Sequence, residues 1–278
     1  MAYDDYATLT VRLKEGVAFV TIGHPPLNVL DQTLGGDLAR FHAEVREDAG
    51  VRVIVFESAD PDFFIAHGDM RSVLSPDLLE QLAQTEPGTL NPLTTLFEGY
   101  RTLPQVTIAK VAGRARGAGN EFLLSLDMRF AARERALFGQ PEVHLGMFPG
   151  AGGTQYLPRL TGRSRALEVI LGSDAFDADL AERYGWINRA LPADELDGYV
   201  ERLALRIASF PTEAVSLAKR SVDSVTLPLQ EGLRIEDELI RQVFAGPAVT
   251  QRMRAALDAG AQTREGELDL EGLLERHL

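Results

Sequence analysis

Cysteine is missing altogether from this 278-residue chain, which excludes disulfide frameworks, thiolate nucleophiles and thiolate-ligated zinc. Histidine is scarce, with five scattered along the sequence, so a histidine-rich metal centre is not expected. No apolar run approaches the roughly 18 residues that a bilayer-spanning helix needs. Met1 to Tyr6 are acidic and lack a basic stretch leading into an apolar one, which argues against a secretory signal or an arginine-rich transit peptide. Positive charge is also in deficit: 28 Lys+Arg face 41 Asp+Glu, a formal net charge of −13. That balance disfavours a long electrostatic footprint on nucleic acid or anionic lipid. A cytoplasmic protein with no nucleic-acid partner and no membrane partner is the expectation.

With 45% hydrophobic and 25% charged residues, the chain has the mix of a globular protein rather than a disordered one. Thr8 to Lys14 and Val17 to Ile22 read as strands joined by a turn at Glu15-Gly16. After the break at Pro25-Pro26, a helix is predicted from Thr33 to Ala49, with Leu34, Leu38, Phe41 and Val45 on one face. Val51 to Glu57 and Val106 to Val111 are β-branched runs of the buried, parallel-sheet kind, and a shorter strand covers Met128 to Ala132. Strand, helix, strand in succession implies crossover units and a layered α/β core. From about residue 160 the pattern turns helical, with Pro211, Pro228 and Pro247 near helix starts. The chain therefore divides into an α/β core over 1–200 and a C-terminal helical region over 201–278. Between core elements, 73–95 reads as a loop-rich, partly helical excursion.

Two stretches can carry chemistry. The first, Ala112-Gly113-Arg114-Ala115-Arg116-Gly117-Ala118-Gly119-Asn120-Glu121, follows a buried strand and opens an apolar helix. Small residues there permit close backbone approach, and a helix start aims free N–H groups at whatever sits before it, the geometry of an oxyanion hole. The same glycines also suit plain helix-on-sheet packing, with Glu121 favourable to the helix dipole. The second runs Phe138-Gly139-Gln140-Pro141-Glu142-Val143-His144-Leu145-Gly146 into Pro149-Gly150-Ala151-Gly152-Gly153-Thr154. Such glycine density costs chain entropy and implies a tight approach to substrate or close helix packing. Taken singly, it also reads as a strand-to-helix connection with a solvated glutamate.

Together, and in this order, the stretches resemble the enoyl-CoA hydratase/isomerase (crotonase) family. Val111 through Glu121 is similar to that family's V-N-G-x-A-x-G-G-G-x-E segment. Phe138 through Gln155 is similar to its F-G-x-P-E-x-x-x-G-x-x-P-G-x-G-G-T-Q segment almost letter for letter. A third match, Phe64-Ile65-Ala66-His67-Gly68-Asp69-Met70-Arg71, looks like F-x-A-G-x-D-[LI]-K. The resemblance runs from about Leu9 to Leu257.

The resemblance implies a crotonase-like α/β core of repeated ββα units and a C-terminal helical region serving trimerisation and active-site closure. The assembly it implies is a homotrimer or a hexamer made of two trimers. By position, the backbone N–H groups of Ala66 and Ala118 would polarise the thioester carbonyl of an acyl-CoA, and Glu121 and Glu142 would be the acid/base pair. Family members that hydrate a 2-enoyl-CoA carry both glutamates, whereas isomerases generally keep only the one matched by Glu142. An enoyl-CoA hydratase is thus implied; other crotonase reactions (isomerisation, hydrolysis, C–C cleavage) and a non-catalytic acyl-CoA-binding role are the alternatives. Ala66, His67, Gly68, Asp69, Arg71, Gly117, Pro141 and Gly150 are the expected substrate- and CoA-binding positions. No metal and no cofactor is implied, since the CoA thioester is the substrate.

Several positions depart from the pattern or stay open. His67 stands where the family has glycine, either as a substrate-tuning or gating side chain or as a histidine packed on the outer side of the turn. His144 either orients Glu142 or points away from it. Arg71 reads as a phosphate contact or as a surface arginine at a helix start. The family's basic, aromatic C-terminal segment is replaced by Ala255-Ala256-Leu257-Asp258-Ala259-Gly260-Ala261 and an acidic tail, with Arg264 the nearest substitute. Leu74, Leu78, Leu82, Leu96 and Phe97 are candidates for an acyl pocket, although their spacing equally suits a buried helix face.

Overall fold

The computed structural model describes residues 3–73, 86 and 88–277. Its contacts divide the chain into one unit ending at Ser209 and a second beginning at Phe210. The 200/201 division expected from composition falls inside the helix Ala193–Ala208.

The first unit is built on two sheets. Its strands are β1 (Leu9–Lys14), β2 (Val17–Ile22), β3 (Val53–Ser58), β4 (Phe63–Ile65), β5 (Val106–Val111), β6 (Arg114–Arg116), β7 (Met128–Ala132), β8 (Leu137–Gly139), β9 (Phe176–Asp177) and β10 (Arg189–Leu191). A six-stranded sheet has the order β1-β2-β3-β5-β7-β10, and a four-stranded one β4-β6-β8-β9. In the large sheet only the β1–β2 hairpin is antiparallel. In the small sheet β4, β6 and β8 run parallel, and β9 closes it antiparallel. The pairs β3–β4, β5–β6 and β7–β8 each give their first strand to the large sheet and their second to the small one. This is the repeated ββα architecture that the motifs implied.

The helices of this unit are α1 (Gln32–Arg46), α2 (Met70–Val73), α3 (Pro92–Arg101), α4 (Ala118–Ser125), α5 (Gly153–Thr161), α6 (Arg163–Gly172), α7 (Ala178–Tyr184) and α8 (Ala193–Ala208). Asp31 caps α1 by accepting the Thr33 and Leu34 amides, and the predicted Leu34, Leu38, Phe41 and Val45 stripe is buried. Along α8, Leu196, Val200, Ala204 and Ala208 recur every four residues and cover the other face of the large sheet.

Beneath α4 an aromatic cluster fixes the helix. Phe122 lies 5.1 Å from Phe56, 5.5 Å from Phe97 and 5.3 Å from Tyr100, mostly in edge-on geometry. Phe97 is therefore a core residue rather than a pocket wall, and Leu96 beside it is half-buried. Leu74, Leu78 and Leu82 lie outside the described residues.

The second unit comprises α9 (Thr212–Asp223), α10 (Leu229–Ala245), α11 (Pro247–Asp258), α12 (Arg264–Glu267) and α13 (Leu270–His277). It is rich in exposed apolar side chains, including Val222, Val225, Leu229, Phe244, Met253 and Leu268. Among the described residues, no helix is long and apolar enough to cross a membrane.

Candidate active site

Three segments well separated in the chain meet because they leave the C-terminal ends of three adjacent parallel strands: Ala66 follows β4, Gly117 follows β6, and Gln140 follows β8. The carboxyl edge of such a sheet is where chain turns are free to shape a ligand site. Asn28 anchors the first segment. Its side-chain amide donates to Ser58 Oγ at 2.8 Å and to the Phe64 carbonyl at 3.1 Å.

Close approach between segments depends on small residues. A β-carbon at Gly119 would overlap the Ile65 carbonyl oxygen, so α4 packs directly against the end of β4. One at Gly68 would sit 3.3 Å from the Ala118 β-carbon. Gly117 holds φ at +52°, and its β-carbon would lie 2.8 Å from Glu142 Oε1 and 3.7 Å from the His67 β-carbon. The structure thereby brings Ala66, His67, Gly68, Gly117, Ala118 and Glu142 together.

Ala118 is the first residue of α4, and its N–H is one of the donors a helix start leaves without an intrahelical acceptor. Ala66 N–H makes a long 3.3 Å bond to the Asn28 carbonyl.

Glu121 lies in the first turn of α4 and is 3% exposed. Its Oε1 accepts the Ala151 N–H at 2.7 Å and the Gly153 N–H at 2.9 Å. The glycine-dense loop thus has a definite task, since a β-carbon at Gly153 would stand 3.0 Å from that same oxygen. Burial pushes the Glu121 pKa up, and the two amides oppose the shift by favouring the carboxylate.

Glu142 opens a 3-10 turn, Glu142–Leu145, after Pro141. Its Oε2 is buried with no hydrogen-bond partner. Its pKa is pushed up to about 7, chiefly by burial, with its own backbone N–H opposing the shift and the nearby Glu121 charge adding to it. The two carboxylates therefore differ: two amides from another segment hold Glu121, whereas Glu142 has only its own backbone N–H and an unpartnered Oε2.

The remaining expected residues occupy the margins. Asp69 starts α2 by accepting the Arg71 N–H at 3.0 Å and the Ser72 hydroxyl at 2.9 Å. The Arg71 side chain is exposed. Gly150 is exposed, and its carbonyl accepts from Asn91 Nδ2 at 2.9 Å and Thr94 Oγ1 at 3.2 Å. His144 is exposed on the 3-10 turn. His67 is half-buried, and its Nδ1 lies 2.8 Å from the Gly68 carbonyl. A carbonyl only accepts, so this contact fixes the proton on Nδ1 of the neutral ring. Arg264 belongs to the second unit.

Sequence reading missed Ala151 and Gly153 as donors to Glu121, and missed the buried side chains of Gln140 and Trp186. The glycine density of the loop was the available signal for the first pair. No local pattern marks the second.

Comparison with known proteins gives the chain its relatives. The profile of the enoyl-CoA hydratase/isomerase family matches residues 12–259. A Rhizobium meliloti (strain 1021) protein described as a probable enoyl-CoA hydratase is 33% identical over 264 residues, covering 94% of this chain and 98% of that protein. The short-chain-enoyl-CoA hydratase of Clostridium acetobutylicum is 32% identical over 257 residues, 91% of this chain and 95% of the relative. Among solved structures, a Streptomyces avermitilis protein carrying a provisional enoyl-CoA hydratase assignment superposes with a TM-score of 0.74 at 48% identity, covering 98% of each chain.

Proposed function

This chain belongs to the enoyl-CoA hydratase/isomerase family, and on that premise we propose that it adds water across the C2=C3 double bond of a 2-enoyl-CoA. The observation that carries the reading is the contrast between the two glutamates. Two backbone amides favour an ionised Glu121, whereas the burial of Glu142 with a partnerless oxygen favours a protonated one at neutral pH. A base and an acid are then available side by side, although such a coupled pair titrates jointly.

In the proposed reaction, Glu121 accepts a proton from water as the water oxygen bonds to C3. The C2=C3 electron pair moves into the thioester, placing negative charge on its carbonyl oxygen. The N–H groups of Ala66 and Ala118 receive that charge; one such donor contributes about 3 kcal/mol in enzymes where it has been removed. For this, Ala66 N–H must share or release its long bond to Asn28. Glu142 then delivers its proton to C2 and the carbonyl re-forms, giving a 3-hydroxyacyl-CoA. A proton passed from Glu121 back to Glu142 resets the pair. Backbone amides supply the polarisation and carboxyls move the protons, so the scheme calls for neither a metal nor a redox cofactor.

Arg71, exposed beside the site, is the proposed contact for a CoA phosphate, a charge-assisted role suited to a guanidinium. The proposed assembly is a homotrimer or a pair of trimers, supported by the exposed apolar side chains of the second unit, which a solitary soluble surface would not favour.

The deciding experiment follows loss of enoyl-thioester absorbance with crotonyl-CoA and longer 2-enoyl-CoAs, using wild type, Glu121→Gln and Glu142→Gln. Rapid hydration by wild type and loss in both variants supports the reading. A folded, CoA-binding wild type that hydrates none of them overturns it.

A further inference from the structure

Asn120, Gln140 and Trp186 are each completely buried. Burying two amides and an indole N–H is unfavourable unless each is bonded. An indole N–H can only donate, so its partner 3.0 Å away is Asn120 Oδ1. Asn120 Nδ2 is thereby turned toward the Gln140 amide, of whose two ends only Oε1 can accept it, at 2.7 Å; the opposite orientation would turn Nε2 to the Gly117 and Gly139 carbonyls and set two donors against each other. Asn120 immediately precedes Glu121, and Gln140 lies two residues before Glu142. The segments carrying the two carboxylates are thus tied twice, by this amide pair and by the 3.0 Å bond from Gly117 N–H to the Gly139 carbonyl.

Trp186 is itself held on three sides. Its ring packs at a tilt 5.6 Å from Phe138 of β8 and 5.9 Å from Phe176 of β9. Its carbonyl accepts Arg129 Nε at 2.9 Å, and the fully buried Arg129 guanidinium also donates to the Leu123 and Leu126 carbonyls at the far end of α4. One residue is therefore linked to both ends of the helix bearing Glu121 and to the strand leading into Glu142.

We propose that the Trp186–Asn120–Gln140 hydrogen-bond chain is a positioning device that sets the separation of Glu121 and Glu142. Two groups sharing one water must be held to within about 0.5 Å of the productive geometry. The side-chain link, propped from behind, adds to the Gly117–Gly139 backbone bond in resisting any sliding of the two segments. The kinetic consequence rests on the hydration reading; the consequence for carboxyl titration does not.

The test is Trp186→Phe, which keeps a ring and removes the N–H. Its kcat is expected to fall about tenfold or more with KM within about twofold, the signature of lost transition-state geometry rather than lost binding. The Glu142 titration, read by 13C NMR of glutamate-labelled protein and assigned with Glu142→Gln, is expected to move by about half a pH unit or more. Val45→Ala removes volume from the buried stripe of α1, outside the chain; it should lower Tm without moving kcat or the titration. Gln140→Met enters the chain from its other end, and must reproduce the same split if Trp186→Phe does not fold. Adding Asn120→Leu to Trp186→Phe should cause little further loss if the three act as a unit. Variants of the chain that lose only Tm, like Val45→Ala, overturn the proposal. If wild type hydrates no enoyl-CoA, the hydration reading fails alone, and a moved or unmoved Glu142 titration still supports or overturns the positioning role.

Discussion

A β-carbon on Gly117 would lie 2.8 Å from Oε1 of Glu142, while Gly117 itself holds φ at +52°. Both the space and the backbone conformation exclude a side chain here. Gly117→Ala should therefore displace Glu142 as well as strain the turn. We expect kcat for hydration to fall about 100-fold, the scale for a misplacement near 1 Å, with a stability loss of about 1 kcal/mol or more from the positive φ. Steady-state kinetics and thermal unfolding read the two effects separately; an alanine variant with normal kcat would remove Glu142 placement from the account.

The glutamate pair should behave as one unit. Glu121→Gln and Glu142→Gln are each expected to lower kcat by about 10² to 10⁴-fold, the range for a positioned acid or base. The double variant should be little worse than either single one, because a lone partner has no proton to relay. Additive losses would instead mean that the two carboxyls act in separate steps.

Protonation of Glu142 sets the expected pH dependence. Its pKa rises from 4.5 to about 7 on folding, with Glu121 and, across Gly117, His67 as its titratable neighbours. Hydration kcat/KM should decline as pH rises through about 7. The same shift affects stability. A carboxyl whose folded pKa is raised disfavours the folded state as it ionises, so stability present below 4.5 is lost as pH climbs through 7. Glu142→Gln removes that penalty, and its Tm should gain on wild type across this window. A Tm difference that is flat from pH 4.5 to 8 would contradict the burial argument.

Arg71 is exposed, so its removal should not disturb the fold. Arg71→Ala is expected to raise KM for an enoyl-CoA several-fold, with little change for the corresponding pantetheine thioester, which lacks the nucleotide phosphates. Equal effects on both substrates would show that the guanidinium does not meet phosphate.

Assembly is testable through the second unit. Light scattering is expected to give three or six chains per particle. Val225 is 80% exposed and Phe244 62% exposed. Replacing both with glutamate should lower the oligomeric state without unfolding the monomer's first unit, because such side chains contribute by leaving water on association. A monomeric wild type ends the trimer proposal.

Periodic signals were legible in the sequence wherever an element is long enough to bury a stripe. The stripe of α1 and the β-branched runs of β2, β3 and β5 came through directly, with ends displaced by a few residues. The three-residue strands β4 and β6 did not, because they have no room for alternation to repeat. Helix α5 also escaped, hidden by its glycine-rich start and the internal Pro158. Ala66, Ala118, Glu121 and Glu142 were singled out by the family resemblance of three segments taken together, because each stretch alone equally suits close helix packing or a solvated glutamate.

Tertiary structure decided what those residues experience. That Glu121 is held by Ala151 and Gly153 while Glu142 has a partnerless oxygen depends on three strand ends converging, and no local run of letters encodes that meeting. The exposure of His144, the core position of Phe97 and the reach of Trp186 to Asn120 across 66 residues are likewise matters of packing. Residue type specifies what a group can donate, accept or ionise; the surrounding fold supplies the desolvation and the partners that choose among those states.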